Sequence, residues 1–240
     1  MKKNWRGLSS VELKVFEEMH QDDFGAFTPT FFQKILIFLA QNSFLKRGQL
    51  RRLMAYLTYS IRKKPLDIYF RKCAFRLHYN RRNHIQDGLL VNPQYNFNDI
   101  EFLLQGSDSK SNFVDIGANI GLYSQPLARS ATKGHVIAID ANPIMVKQLR
   151  FNAKSSNLNN LIAIFSAVSN KTGYGSLKIR NDDDAIVALG EDENDGIPIK
   201  TLKDILNETK IKKIYGLKID VEGHEDLSLI HISEPTRPID

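Results

Sequence analysis

The sequence predicts an α/β protein: a parallel sheet with helices on both faces, preceded by a basic helical N-terminal extension. Three observations predict it. From residue 112 onward, short Val- and Ile-rich runs alternate with stretches of helical pattern, the mark of strand–helix–strand units. The polar and small residues of those runs gather at their C-terminal ends, where an open parallel sheet places its ligands. Finally, Phe113-Val-Asp115-Ile-Gly117-Ala-Asn119-Ile-Gly121-Leu-Tyr123-Ser124 reads as a buried strand, then a glycine-bearing turn that opens a helix. Such a turn lets backbone approach a ligand and turns the positive end of a helix toward negative charge.

The chain has 240 residues, room for one large domain or a domain with an appendage. Hydrophobic residues make up 42% and charged residues 25%, which excludes wholesale disorder. The single cysteine, Cys73, excludes an internal disulfide and a cysteine zinc cluster, so a reducing, cytoplasmic location is expected. Met-Lys-Lys-Asn-Trp-Arg at the start lacks the apolar core of a signal peptide. Charge is uneven: residues 1–100 carry a net +9 and residues 101–240 a net −3. A solvated basic face is the plain reading, with contact to an anionic membrane surface as the second; no nucleic-acid partner is expected.

In chain order, Ser9 and Glu12 fit a capping box for a helix to about His20. Thr28-Pro29 reads as N-cap and first helical residue of the apolar run Phe31 to Ala40, which is too short to span a bilayer. Leu50, Leu53, Met54, Leu57 and Ile61 share one helical face amid Arg51, Arg52, Arg62, Lys63 and Lys64, and Pro65 stops that helix. The stripe can pack on the neighbouring domain or lie on a membrane. Ala74 to Tyr79 and His84 to Val91 are expected as two strands, and Asn98 to Gln105 as a short helix. The domains expected are a basic helical region 1–65, a strand pair with a short helix 66–110, and a sheet domain 111–226.

The core is expected to run as strand 112–116, helix 122–130 and strand 135–140. A helix capped by Asn142-Pro143 follows to about Ser156, then strand 161–168, a short strand 174–179, helix 202–207 and strand 214–220. Asn181 to Asp184 and Glu191 to Asp195 form an acidic loop region.

The strand ends carry the chemistry. They supply Asp115 with the Gly117–Gly121 turn, Asp140, Ser166-Ala167, and Asp220-Val-Glu222-Gly-His224. The dinucleotide fingerprint G-x-G-x-x-G needs a second glycine so that backbone can touch a pyrophosphate, and Asn119 occupies that place. S-adenosylmethionine has no phosphate and tolerates a side chain there, so the turn favours it over NAD. An acid ending the second strand, Asp140, suits the ribose hydroxyls of either ligand. Asp220 and Glu222 could ligate a divalent ion, but two carboxylates alone do not make a metal site.

The segments Phe113–Ser124, Ile139-Asp-Ala-Asn-Pro143, Thr201-Leu-Lys-Asp204 and Leu217-Lys-Ile-Asp-Val-Glu-Gly-His-Glu225 resemble the successive motifs of FkbM-type methyltransferases, over about residues 95–226. The resemblance implies a Rossmann-like class I fold and methyl transfer from S-adenosylmethionine to a hydroxyl oxygen of a sugar, glycan or natural product. It places Asp115, Gly117, Asn119 and Gly121 around the methionine part of the cofactor, Asp140 on the ribose, and Asn142, Ser166 and Ala167 near the adenine. Transfer to a hydroxyl needs a base. His224 is the first candidate because its ordinary pKa lies near neutrality, with Asp220 and Glu222 as alternatives. A non-catalytic binding module of the same fold is the competing reading, and an NAD-dependent oxidoreductase the third.

Leu227-Ser-Leu-Ile-His-Ile-Ser-Glu-Pro-Thr-Arg237 leaves that pattern and resembles a translated transposase-type sequencing adapter. Residues 227–240 are therefore expected to be foreign to the fold. The sheet is expected to be cut after its fourth strand, leaving part of the acceptor side unread.

Overall fold

The computed structural model describes residues 21–78, 84–179, 185–189 and 196–220. The expected helix 9–20, both acidic loops, Glu222, His224 and the adapter-like tail lie outside them.

Two helices, α1 (Phe31–Gln41) and α2 (Gly48–Ser60), pack side by side through a 3-10 turn at Phe44–Lys46. The cap of α1 is Thr30, not Thr28. Thr30 Oγ accepts from Gln33 N and Thr30 N donates to Gln33 Oε1, a reciprocal capping box that Thr28 cannot form with the same glutamine.

Strands β1 (Leu66–Phe70) and β2 (Cys73–Leu77) form an antiparallel hairpin whose two turn residues, Arg71 and Lys72, both have positive φ. The free edge of β2 is closed by side chains from the next layer. Ser156 Oγ accepts from Ala74 N at 2.7 Å, Asn152 Oδ1 from Arg76 N at 3.0 Å, and Gln148 Nε2 donates to Arg76 O at 2.6 Å. Arg76 and Asp67 form a fully buried ion pair at 2.7 Å. Arg76 also donates to the carbonyls of Asp22 and Asp23, and Asp67 Oδ2 accepts from Gly25 N and Phe27 N, so the pair clamps the chain entering α1.

His84 to Val91 is a helix, α3 (His84–Val91), not the expected second strand; α4 (Phe97–Leu104) follows. Six consecutive residues of α3, from Gln86 to Val91, are buried. A short run buried on every side carries no period that separates buried helix from buried strand.

The main sheet is parallel, built from β3 (Phe113–Ile116), β4 (Val136–Asp140), β5 (Leu161–Phe165) and, later in the chain, β10 (Gly216–Ile219), in the order β10-β3-β4-β5. Alternation along β3 and β4 divides its two faces. Val114, Ile116, Ile137 and Ile139 pack beneath Ile205 of α7 (Leu202–Thr209). Ala138 packs beneath Leu149 of α6 (Pro143–Ser155), and α5 (Ser124–Ser130) lies beside it. A parallel sheet covered on both faces is the Rossmann-like arrangement expected.

Three findings refine the sequence reading of this region. Helix α5 begins at Ser124, two residues later than expected, which puts Pro126 in its first turn, where no N–H is needed. The third strand breaks at Ser166. Beyond it, β6 (Ala167–Val168) enters a second, mixed sheet with β7 (Gly173–Ile179), β8 (Ala185–Leu189) and β9 (Ile197–Lys200), in the order β6-β9-β7-β8. Finally, β10 pairs only with β3 among the described residues and is half-buried along its length.

Candidate functional site

The turn after β3 is held by its own backbone. Gly117 N and Ala118 N both donate to Ile139 O, at 2.9 and 3.0 Å, and Gly121 N donates to Ala118 O at 2.9 Å. Asn119 N donates to Asp140 Oδ2 at 2.7 Å, and Asn119 Oδ1 accepts from Ile120 N at 2.9 Å. All five amides from Gly117 to Gly121 are therefore engaged within the protein. The turn expected to open a helix is instead a closed loop, and α5 starts three residues beyond it.

The glycines are required for two separate reasons. Gly117 has φ +76°, and a Cβ there would sit 2.0 Å from the backbone oxygen of Asp220, so the turn runs directly against the end of β10. Gly121 has φ +94°, and its Cβ would meet Leu149 Cδ1 at 2.4 Å, which assigns its lack of a side chain to packing against α6. Asn119 between them has φ +50°, a conformation asparagine tolerates better than most residues.

Asp115 is fully buried in β3. Its Oδ2 accepts from Ser124 Oγ at 2.5 Å. Its Oδ1 has Lys218 Nζ at 3.2 Å as ionic partner but no well-aligned hydrogen bond. Lys218, on β10, was not among the expected site residues. Its ammonium also donates to Gly117 O at 2.9 Å, lies 3.5 Å from Asp220 Oδ2 and sits 5.1 Å from the centre of the Tyr123 ring. A signal for it was present: Lys218 interrupts the apolar run of β10 two residues before Asp220, so both side chains leave the same face of the strand. A nearly buried lysine calls for carboxylate partners.

Tyr123 is the other addition. Its hydroxyl accepts from Asn96 Nδ2 at 2.6 Å and donates to Asp99 Oδ2 at 3.2 Å, tying the site to α4. Burial above all, with the nearby carboxylates of Asp99 and Asp115, pushes its pKa up to about 12, so the phenol stays protonated.

Asp140 ends β4, half-buried. Its Oδ2 takes the Asn119 amide and its Oδ1 the Asn142 amide at 2.8 Å. Burial raises its pKa from 3.8 to about 6; the two amides and Lys218 oppose that rise, and Asp115 adds to it. Asn142 caps α6, its Oδ1 accepting from Ile144 N at 3.0 Å. Ser166 is buried: its N donates to Asp140 O, and its hydroxyl lies 2.8 Å from Ala167 O and 2.9 Å from Pro198 O, joining the two sheets. Ala167 is half-buried in β6.

Backbone and side-chain hydrogen bonds thus gather Gly117, Asn119, Gly121, Asp140 and Asn142 at one edge, and Lys218 links Asp115 to it. Asp220, its side chain exposed, joins through its contact with the Gly117 turn and through Lys218. Among the described residues no cluster of three or more histidine, cysteine or acidic side chains could hold a metal ion.

Residues 115–229 match the family model of the methyltransferase FkbM domain. The matched stretch is just under half of the chain. The matched stretch opens on Asp115 and takes in every candidate residue at this edge, together with Glu222 and His224. A search of curated proteins found no match.

Among solved structures, M. jannaschii TYW2 in complex with AdoMet is similar at 27% identity, over 42% of this chain and 42% of that one, with a TM-score of 0.35. A SAM-dependent methyltransferase from Aquifex aeolicus shares 29% identity over 30% of this chain and 40% of that one, at a TM-score of 0.27. A methyltransferase FkbM from Methylobacillus flagellatus KT matches 91% of this chain and 44% of that one, at 14% identity and a TM-score of 0.37. The chain spans less than half the length of each of these structures.

Proposed function

We propose that the FkbM domain binds S-adenosylmethionine along the Gly117–Gly121 turn and Asp140, and serves to methylate a hydroxyl oxygen of a sugar, glycan or natural product. The observation that carries the cofactor reading is the closed turn. A dinucleotide needs free amides to hold its pyrophosphate, and the five amides of this turn are already bonded inside the protein. The residues present fit a cofactor without phosphate. Each Asp140 oxygen keeps a lone pair after taking one amide, which suits the two ribose hydroxyls. Asp115 Oδ1, buried and without a well-aligned donor, suits the amino group of the methionine part.

When bound, S-adenosylmethionine supplies an electrophilic methyl group on a sulfonium sulfur. Asp115 and the Gly117–Gly121 turn would hold its methionine part and Asp140 its ribose, and its methyl would pass to the acceptor oxygen with S-adenosylhomocysteine as the other product. The protein's tasks are to align the acceptor and take its proton. His224 is the proposed base, with Asp220 and Glu222 as the alternatives. Lys218 serves as a positioning residue, holding Gly117 O while balancing Asp115 and Asp220.

Transfer of labelled methyl to candidate hydroxyl acceptors tests the activity. Loss of turnover in His224→Ala with S-adenosylhomocysteine affinity retained is expected. Unchanged turnover removes His224 from the role. Transfer to nitrogen or carbon acceptors alone overturns the choice of a hydroxyl.

A further inference from the structure

Helix α1 is folded inside out for a protein bathed in water. It buries Gln33 and Ala40, while Phe31, Phe32 and Phe38 stand 73%, 69% and 64% exposed. With Ile35 and Leu39 these rings form one continuous stripe of about a third of the helix circumference at helical spacing. The burial of Gln33 is specific: its Nε2 donates to Thr58 O of α2 at 2.9 Å, which fixes the polar edge inward and the phenylalanines outward.

Helix α2 repeats the pattern. Of the stripe read as packing on a neighbour or lying on a membrane, Met54 is buried together with Ala55, Thr58 and Tyr59, while Leu50, Leu53, Leu57 and Ile61 are exposed. Phe44, in the turn between the helices, is exposed as well.

The charge around these stripes has one sign. Between Asp23 and Asp67 the chain holds eight Lys and Arg residues and not one acidic residue. Lys34, Arg47, Lys63 and Lys64 are exposed. Among the described residues no helix is long and apolar enough to cross a membrane. A protruding apolar stripe flanked only by cations is the chemistry of a helix lying in a bilayer interface, its rings among the acyl chains and its lysines among anionic headgroups.

We propose that α1 and α2 form a docking surface for an anionic lipid bilayer, seating the chain on the membrane through Phe31, Phe32, Phe38 and Phe44 with a basic rim. This rests on the surface alone and is independent of the proposed chemistry.

Flotation of the full chain with vesicles of phosphatidylcholine and phosphatidylglycerol, against vesicles of phosphatidylcholine alone, tests it, with sedimentation velocity on the lipid-free protein alongside. The anionic vesicles are expected to carry the protein and to release it at high salt, where screening shortens the reach of the charges. Phe31→Glu with Phe38→Glu is expected to reduce the bound fraction about tenfold or more. Lys34→Glu, Arg47→Glu, Lys63→Glu and Lys64→Glu together should do the same. These side chains are exposed, so an unchanged thermal melt is expected. Failure to float with anionic vesicles overturns the proposal, as does flotation that neither variant weakens. In the first case, a concentration-dependent dimer dissolved by the phenylalanine variant assigns the face to a second copy. A monomer assigns it to another segment of this chain, such as residues 1–20.

Discussion

At Asp140 two demands act on one carboxylate. Burial favours the protonated form, and the amides of Asn119 and Asn142 favour the ion. With the folded pKa at about 6 and the ordinary value at 3.8, the folded state holds the proton more tightly than the unfolded one. This group's contribution to stability is therefore greatest at low pH and is lost as pH rises through 6. With the ribose placed on Asp140 as proposed, ligand binding has the opposite sign, because ribose hydroxyls would donate to the ionised form. Affinity for S-adenosylhomocysteine is expected to fall as pH drops through about 6, which titration calorimetry across that range would read. A flat affinity would remove Asp140 from the ribose. Gly117 makes a second prediction. An alanine there combines a strained φ with a clash against backbone, so Gly117→Ala should lower stability by about 1–3 kcal/mol or more and displace the end of β10. Melting the variant checks it. Both residues were legible from their types and spacing. Lys218 was quoted within a motif and given no role, because its meaning depends on Asp115, which lies on the neighbouring strand.

At the scale of elements, the parallel strands were legible because each is a short, mostly apolar run with a polar residue in it or just beyond it (Asp115, Asp140, Ser166, Asp220), and α6 because Asn142-Pro143 announces it. Elements defined by distant partners were not. The β1–β2 hairpin turns on Arg71-Lys72, which lacks the glycine or asparagine that usually marks such a turn. Strand β6 is two residues long and exists by pairing with β9, about thirty residues on. In α3, a mid-element glycine, Gly88, lowers helix propensity, yet its missing side chain makes room for Tyr95, whose ring would lie 2.5 Å from a Cβ there. The hairpin also contains the most consequential buried pair. Breaking Arg76–Asp67 by Arg76→Met or Asp67→Asn should cost about 3–5 kcal/mol, since each leaves a buried group without its partner. Urea melts of the two single variants and the double variant give the coupling. Additive effects would mean the pair is not linked as the geometry implies.

At the scale of the whole molecule, two surfaces of different character coexist. One is the C-terminal edge of the parallel sheet, where Gly117, Asp140 and Lys218 meet, inside the FkbM match at residues 115–229. The other is the basic, aromatic face of α1 and α2, which lies outside that match. Hydrophobic periodicity showed the Leu50–Ile61 stripe but not its direction, because an amphipathic helix has the same spacing whether it faces a core or a bilayer. The buried Gln33 and Thr58 take the inward positions, which leaves the apolar stripes of both helices facing outward. The proposed function rests on the first surface. The most direct test is calorimetry of the full chain near neutral pH with S-adenosylhomocysteine and, separately, with NAD, beside the Asp140→Ala variant. Saturable heat with S-adenosylhomocysteine, weakened about tenfold or more in Asp140→Ala, and no heat with NAD is the expected result. Binding of NAD, or no binding of S-adenosylhomocysteine by a chain that melts cooperatively, would contradict it.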